Sequence, residues 1–312
     1  MKFYLGTTDN SWFNYLSVIS PEDVNFWQPG GSLAFRALEP GAPFLFKLKY
    51  PVNAIGGVGF FSSHTFLPIS VAWETFGNRN GCDNYDEFKR KIISYKSDKT
   101  IANPQIGCIV LTNPIFFEPQ DWIKTPENWN KSIVQGKAYT TDEEIGDRLW
   151  SQVELLLDKY LRDEDYHSEN QFMVSEPPSR YRNSILSKVR IGQGAFRVLV
   201  TDSYQRRCSI TGEKTLPVLE SAHIQSYAKD GPHSISNGIL LRSDIHKLFD
   251  TGYLTITTDL KIEVSNRIKE EFLNGREYYQ YHGKDLITVP QKLIDRPDTK
   301  YIEWHNSNIF KG

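Results

Sequence analysis

Along the first 120 residues the hydrophobic positions come in short runs instead of at helical intervals. Phe3 to Leu5, Pro43 to Lys49, Ile55 to Phe61 and Ile106 to Phe117 are each bounded by clusters of Pro, Gly or Asn. Apolar runs of that length between turn-forming residues predict strands, and their spacing suits a small β-barrel or curled sheet. Gly56-Gly57-Val58-Gly59 lacks a following Lys-Ser/Thr pair, so it is not a phosphate-cradling loop. Glycines inside a strand mark a bulge or a close backbone approach.

At Thr141 the period changes. Thr141 and Glu144 have capping-box spacing, and Ile145, Leu149, Val153, Leu156 and Leu157 recur on one helical face. A helix reaching Leu161 is expected. Arg162 to Pro178 is polar and ends in Pro-Pro, as a linker does. The chain therefore divides into a β-rich domain over 1–140, a helix and linker over 141–178, and a C-terminal domain over 179–312.

In the last domain Leu216 to Glu220 predicts a short strand that delivers Ala222 and His223 at its end. A polar loop with Gly231 and Pro232 follows, and Asn237-Gly238 opens a second strand, Ile239 to Arg242. Ser243 or Asp244 then caps a short helix holding Ile245, His246, Leu248, Phe249 and Asp250. Strand, loop, strand and helix make a ββα unit that sets His223 opposite His246. His246 and Asp250, four apart, are neighbours on one helix face.

Composition narrows the class. The 312 residues suffice for two domains with buried cores. No apolar run approaches a membrane span and the start, MKFYLGTTDN, is not a signal peptide, so a cytoplasmic protein without a membrane partner is expected. Cys82, Cys108 and Cys208 are scattered and form no CxxC pair, against a disulfide framework or a cysteine-rich zinc site. A net charge of −2 excludes a basic DNA-coating protein. Charge is uneven, however: Ser179 to Lys214 carries eight Lys/Arg, and local basic segments are what supply phosphate contacts.

The C-terminal residue types suit metal-dependent phosphodiester cleavage. A base that titrates near neutrality must take a proton from water, which His does without special tuning. A divalent cation must neutralise charge growing on the phosphate and the leaving oxygen. His223, Asn237 and His246, 14 and 9 residues apart, within AHI…NG.LLR.D.H.LFD, resemble the HNH endonuclease family, notably a group of predicted restriction endonucleases. The resemblance implies that His223 is the general base, that Asn237 holds the loop and base in place or joins the metal site, and that His246 is a metal ligand. Asp250 falls where the colicin-nuclease branch has a further ligand. One position departs: many members have Asp or His just before the catalytic His, and here it is Ala222. Glu220, two residues back on the same strand face, is the candidate to replace that ligand. His233 and His282 are expected to be ordinary hydrogen-bonding histidines, and Asp244 a helix cap. Arg190, Arg197, Arg206 and Arg207 are candidate grips on the DNA backbone, with Gly192 and Gly194 letting the chain approach a phosphate.

In the N-terminal half, VNFWQPGG, LEPGAPFLFKL and VAWETFGNRNG resemble the domain joined to HNH fingers in predicted restriction enzymes, and GAPFLFKLKYPVNAIGGVGFF the PUA-like small barrels, some of which hold flipped, modified bases. A flipped base needs aromatic faces and polar groups for its edge. Trp12, Trp27, Phe26 and Trp73 are candidate walls, and Asp9, Asn10 and Asn25 candidate readers, with Trp12 and Trp27 expected in loops.

The expectation is an α+β protein: a PUA-like β-barrel, a connecting helix and linker, and a ββα-metal HNH nuclease domain. It would be a restriction-type DNA endonuclease using one divalent ion (Mg, Mn or another transition metal), acting on double-stranded DNA with modified cytosine or on foreign DNA. The products would carry 5′-phosphate and 3′-hydroxyl ends, and a homodimer would serve a double-strand break. A non-catalytic reader of modified DNA and a toxin-like RNase are the rival readings.

Overall fold

The apolar runs of the N-terminal half become strands of one mixed sheet. The computed structural model describes residues 1–130, 132–167 and 192–312. They form two units, Met1–Ala195 and Phe196–Gly312. The first holds β1 (Lys2–Thr8), β2 (Asp23–Gln28), β3 (Pro43–Leu48), β4 (Ala54–Pro68), β5 (Gln105–Phe116), β6 (Ile123–Lys124) and β7 (Gly136–Thr140). Their order is β2-β5-β4-β3-β1-β7, with β6 paired to β4. β1 and β3 run parallel; the other ladders are antiparallel. β4 is the long central strand. Its register against β5 shifts between Val58 and Phe60 and between Phe61 and Ser63, so the irregularities fall within and just after the glycine run.

Both faces of this sheet are covered. Phe44, Phe46 and Leu48 of β3 pack with Val24, Ile109 and Leu111 and with Trp12, Phe13 and Leu16 from helix α1 (Asn10–Ile19). Leu45, on the opposite face, joins Phe3, Leu5, Ile55 and Val58 and meets Leu149, Trp150, Val153 and Leu157 of the long helix near residue 150. Burial on both sides is why β3, Lys47 apart, is apolar without alternation.

α1 corrects the expectation that Trp12 lies in a loop. Asp9 caps this helix, its side chain accepting from the amides of Ser11 and Trp12. Trp27 is in strand β2, not a loop. α2 (Ile69–Phe76) and α3 (Tyr85–Tyr95), the latter capped by Asn84, complete the helices before β5. α4 (Glu144–His167) is the expected amphipathic helix, running past Leu161. Thr141 does not cap it: its hydroxyl accepts from the N-terminal ammonium of Met1 at 2.6 Å. The rest of the expected linker, from 168 to 178, lies outside the described residues.

α5 (Gln193–Ser203) contains the boundary between the units. Within the first unit the buried carboxylate of Asp23 accepts from the Ala195 amide at 2.8 Å and is paired with Arg79 at 2.5 Å. A Cβ on Gly192 would stand 2.5 Å from that carboxylate, so this glycine is explained by packing, not by approach to a phosphate.

The second unit holds the antiparallel pair β8 (Leu219–His223) and β9 (Gly238–Arg242), then α6 (Ser243–Asp250). Beyond it are the hairpin β10 (Leu254–Ile256) and β11 (Ile262–Val264), short helices α7 (Arg267–Phe272) and α8 (Arg276–Tyr279), and α9 (Thr299–Asn308). Its core includes Phe196, Val200 and Tyr204 of α5, Ile239 to Leu241, Ile245 and Phe249. The side chain of His305 on α9 is buried, and its ring lies parallel to Phe249 at 3.9 Å. Helices lie between strands whose ladders, β1–β3 apart, are antiparallel, which makes the protein α+β. Among the described residues no helix is long and apolar enough to cross a membrane.

Candidate functional site

The ββα unit assembles in the predicted order, but its first strand is Leu219–His223 and not Leu216 to Glu220, because Leu216–Val218 form a tight turn ahead of it. In β8 and β9, His223 pairs with Gly238, Ala222 with Ile239 and Glu220 with Leu241. A Cβ on Gly238 would lie 2.4 Å from Cγ2 of Val200, so α5 crosses close enough to require glycine there. That crossing brings Phe196 flat against His223, with ring centroids 3.9 Å apart and planes 11° apart.

His246 sits between two carboxylates. Its Nδ1 is 2.5 Å from Glu220 Oε2 and its Nε2 is 3.3 Å from Asp250 Oδ2. Burial opposes a charge on His246 most strongly, but the bonds to Asp250 and Glu220 outweigh it and raise its pKa. His223 shifts the other way, down to about 4, first through burial and then through the nearby His233 and His246, with Asp250 opposing. The two histidines thus shift in opposite directions: burial leaves His223 neutral at pH 7, while the flanking carboxylates raise the proton affinity of His246.

Asn237 is fully buried and acts on the loop between the strands. Its side chain accepts from the Gln225 amide at 2.8 Å and donates to the carbonyls of Gln225 and Pro232 at 2.9 and 3.0 Å. His223 is touched by His233 instead, Nε2 to Nδ1 at 2.9 Å. No spacing pattern flags His233, and the expectation of an ordinary hydrogen-bonding histidine left its partner unforeseen. Asp244 does not cap α6; Arg242 occupies the cap position, and Asp244 is gripped by it at 2.6 and 2.8 Å.

The donor set for a cation combines imidazole nitrogen and carboxylate oxygen, a chemistry that suits Mg²⁺, Mn²⁺ or Zn²⁺. Glu220 and Asp250 engage different nitrogens of one ring, so an ion on His246 Nε2 faces Asp250. Among the described residues no group of three or more His, Cys, Asp or Glu is arranged to hold a metal. The ring and two carboxylates fit a cation site of two protein ligands whose remaining positions go to water or phosphate.

Of the candidate phosphate grips, Arg206 pairs with Asp202 at 3.0 Å, Arg207 is exposed and Arg197 is half-buried on α5. Arg190 lies outside the described residues. Cys208 is buried, its sulfur accepting from the amides of Thr211 and Arg242.

A cavity of about 490 Å³ opens in the first unit. Trp12, Phe26, Trp27 and Asp9 line it, as do Tyr4, Thr7, Gln28, Phe35, Arg36, Lys49 and Tyr95, which the sequence does not single out. Both indole N–H groups are spent inside the protein, Trp12 on the Asn25 carbonyl and Trp27 on that of Asn80, so these rings offer the cavity apolar surface. The buried Thr7 hydroxyl has no partner among the described residues. Burial works against the Asp9 carboxylate, yet the bonds from Ser11 and Trp12 and the charges of Lys49 and Lys91 keep its pKa lowered. Trp73, Asn10 and Asn25 do not line the cavity. Trp73 packs against Tyr85 and Phe88, Asn10 bonds the Lys49 backbone, and buried Asn25 donates to Asn80 Oδ1.

Comparison with known proteins places the class on the second unit: residues 208–257 match the HNH_2 family, described as HNH endonuclease, and form an HNH nuclease domain. Among solved structures, a modification-dependent TagI restriction endonuclease aligns over 92% of this chain and 75% of its own, at 15% identity and a TM-score of 0.27. An ASCH protein from Zymomonas mobilis aligns over 48% of this chain and 94% of its own, at 11% identity and a TM-score of 0.33. A point mutant of it gives 9% identity, a TM-score of 0.35 and coverage of 48% and 98%. No curated protein matches the chain by sequence.

Proposed function

We propose that the chain is a metal-dependent DNA endonuclease of restriction type, directed at modified or foreign DNA. The observation that carries this reading is the pairing of a neutral, half-buried His223 with a carboxylate-flanked His246 inside a segment that matches HNH endonucleases. His246 Nε2 and Asp250 would hold one divalent ion. When bound, that ion supplies charge neutralisation at the phosphate and at the departing 3′ oxygen. In this reading Glu220, on Nδ1, fixes the ring of His246, as carboxylates commonly do for ligating histidines. His223 takes the proton of the attacking water, leaving a 5′-phosphate and a 3′-hydroxyl. Asn237 holds the loop that abuts His223. Arg197, Arg206 and Arg207 contact phosphates without reading sequence.

The cavity in the first unit is where a base extruded from the duplex would be read, its faces against Trp12, Phe26 and Trp27. Double-strand cleavage would be the work of two copies.

One observation favours a second reading, a non-catalytic reader of modified DNA: Ala222 removes a ligand, and the described residues show no three-ligand cluster. Calorimetric titration of the whole protein with Mn²⁺, beside His246→Ala, separates the two. Binding that is lost in the variant, with cleavage products bearing 5′-phosphates, supports the nuclease. Absence of any binding and cleavage supports the reader.

A further inference from the structure

His233 lies outside the motif that marks the nuclease segment, yet it makes the closest polar contact to the proposed base. It follows Pro232 in the loop between β8 and β9, and its Nδ1 stands 2.9 Å from Nε2 of His223. Both rings are fixed by parallel neighbours. Phe196 lies on His223, and Tyr227 lies on His233 with centroids 4.3 Å apart and planes 14° apart. Asn237 donates to the carbonyl of Pro232, the residue just before His233, so the buried amide sets the backbone from which this imidazole projects.

A hydrogen bond between two neutral imidazoles has two forms. In one, His223 carries its proton on Nε2 and donates it to Nδ1 of His233, which leaves a lone pair on His223 Nδ1. In the other, His233 donates, the His223 proton sits on Nδ1, and neither nitrogen of His223 remains basic. No hydrogen bond to Nδ1 of His223 occurs among the described residues. Only the first form gives a base.

We propose that His233 is a positioning residue: by accepting from Nε2–H it fixes His223 in the tautomer whose Nδ1 takes the proton of the attacking water. This rests on the nuclease reading given above. In the step, one water O–H bond breaks, its proton goes to His223 Nδ1 and the hydroxide forms the new bond to phosphorus as the bond to the 3′ oxygen breaks; that oxygen keeps the bonding pair and takes a proton from a second water, which gives the 3′-hydroxyl. The imidazolium left behind keeps Nε2–H on the neutral Nδ1 of His233, which shares its charge. Asn237 thereby acts on the base through two links, Pro232 and then His233.

The test uses the full-length protein and two substitutions. His233→Phe keeps a ring for Tyr227 and removes the acceptor; His233→Asn restores an acceptor oxygen near the place of Nδ1. Cleavage of a DNA duplex is followed for kcat and KM, and long-range proton–nitrogen NMR of histidine-labelled protein, assigned with His223→Gln, reports the tautomer at neutral pH. The expected result is an Nε2–H tautomer for His223, a kcat about 100-fold lower in His233→Phe with KM little changed, and recovery of most of it in His233→Asn. Wild-type-like kcat in a folded His233→Phe protein, or an Nδ1–H tautomer for His223 in the wild type, overturns the proposal. The tautomer is read in unsubstituted protein, so a variant that fails to fold does not remove the test. Failure of the wild type to cleave DNA with any divalent ion overturns the nuclease reading instead.

Discussion

The two units build their sites in opposite ways. In the second unit the groups that matter lie between Glu220 and Asp250, on one strand pair, one loop and one helix. In the first unit the cavity draws on residues from Tyr4 to Gln135, carried by two strands, two helices and the loops beside them. A site made from neighbours in sequence has fixed spacings, and spacing is what a motif records. A site made by sheet pairing has none, because strand order decides which side chains meet. The same contrast runs through the chemistry. The second unit shifts two histidines in opposite directions by burial and carboxylates, whereas the first offers rings whose N–H groups are already satisfied.

The largest expected effect is at His223. His223→Ala should reduce DNA cleavage by at least about 100-fold while leaving DNA affinity within error, measured by plasmid digestion and fluorescence anisotropy. Parallel loss of binding would remove the role of base from this residue and blur the division of labour between the units.

Acid should separate the units next. His305 is lowered to about 4 chiefly by burial, against the pull of the Phe249 carbonyl and Asp250, and His223 is lowered to about 4 as well. A group whose pKa is depressed in the fold contributes stability above its unfolded value, and that stability is lost as pH falls through the folded value. For buried His305 the window lies between the ordinary value of 6.5 and about 4, and the loss is on the order of 3 kcal/mol. Asp9 in the first unit is shifted down from 3.8, so its contribution fades only at lower pH. Hydrogen exchange from pH 7 to pH 4 should therefore show the second unit opening first. Simultaneous opening would contradict these assignments.

Asn237→Ala is a smaller break in the same unit. It leaves the Gln225 amide and two carbonyls without their partner, a cost of about 2–3 kcal/mol, seen as a lower melting temperature of the second unit. The smallest effect belongs to the cavity: Trp27→Ala should weaken binding to DNA with a modified base by about 1–3 kcal/mol and leave unmodified DNA unaffected.

Much of the second unit was legible. The strand pair, the following helix and the register that brings Glu220, His223, His246 and Asp250 to one place follow from turn residues and local periodicity. The contact of His233 with His223 was not, since a loop of 14 residues closes according to which buried carbonyls Asn237 can reach. In the first unit the strand runs were legible because both sheet faces are buried. Their order was not, and neither was helix α1, although Asp9 before Trp12, Phe13 and Leu16 carries a capping and periodicity signal that the polar surroundings obscured. Asn10, Asn25 and Trp73 failed to join the cavity for the same reason: whether a polar or aromatic residue faces a hollow or the core depends on packing between distant segments.

The most direct test of the central claim is cleavage of one plasmid prepared unmodified, with 5-methylcytosine, with 5-hydroxymethylcytosine or with glucosylated cytosine, in Mg²⁺, Mn²⁺, Co²⁺ or Ni²⁺. Metal-dependent cutting of a modified plasmid and little of the unmodified one is the expected result. Cutting all four alike would contradict the role given to the first unit, and cutting none with any ion would contradict the nuclease itself.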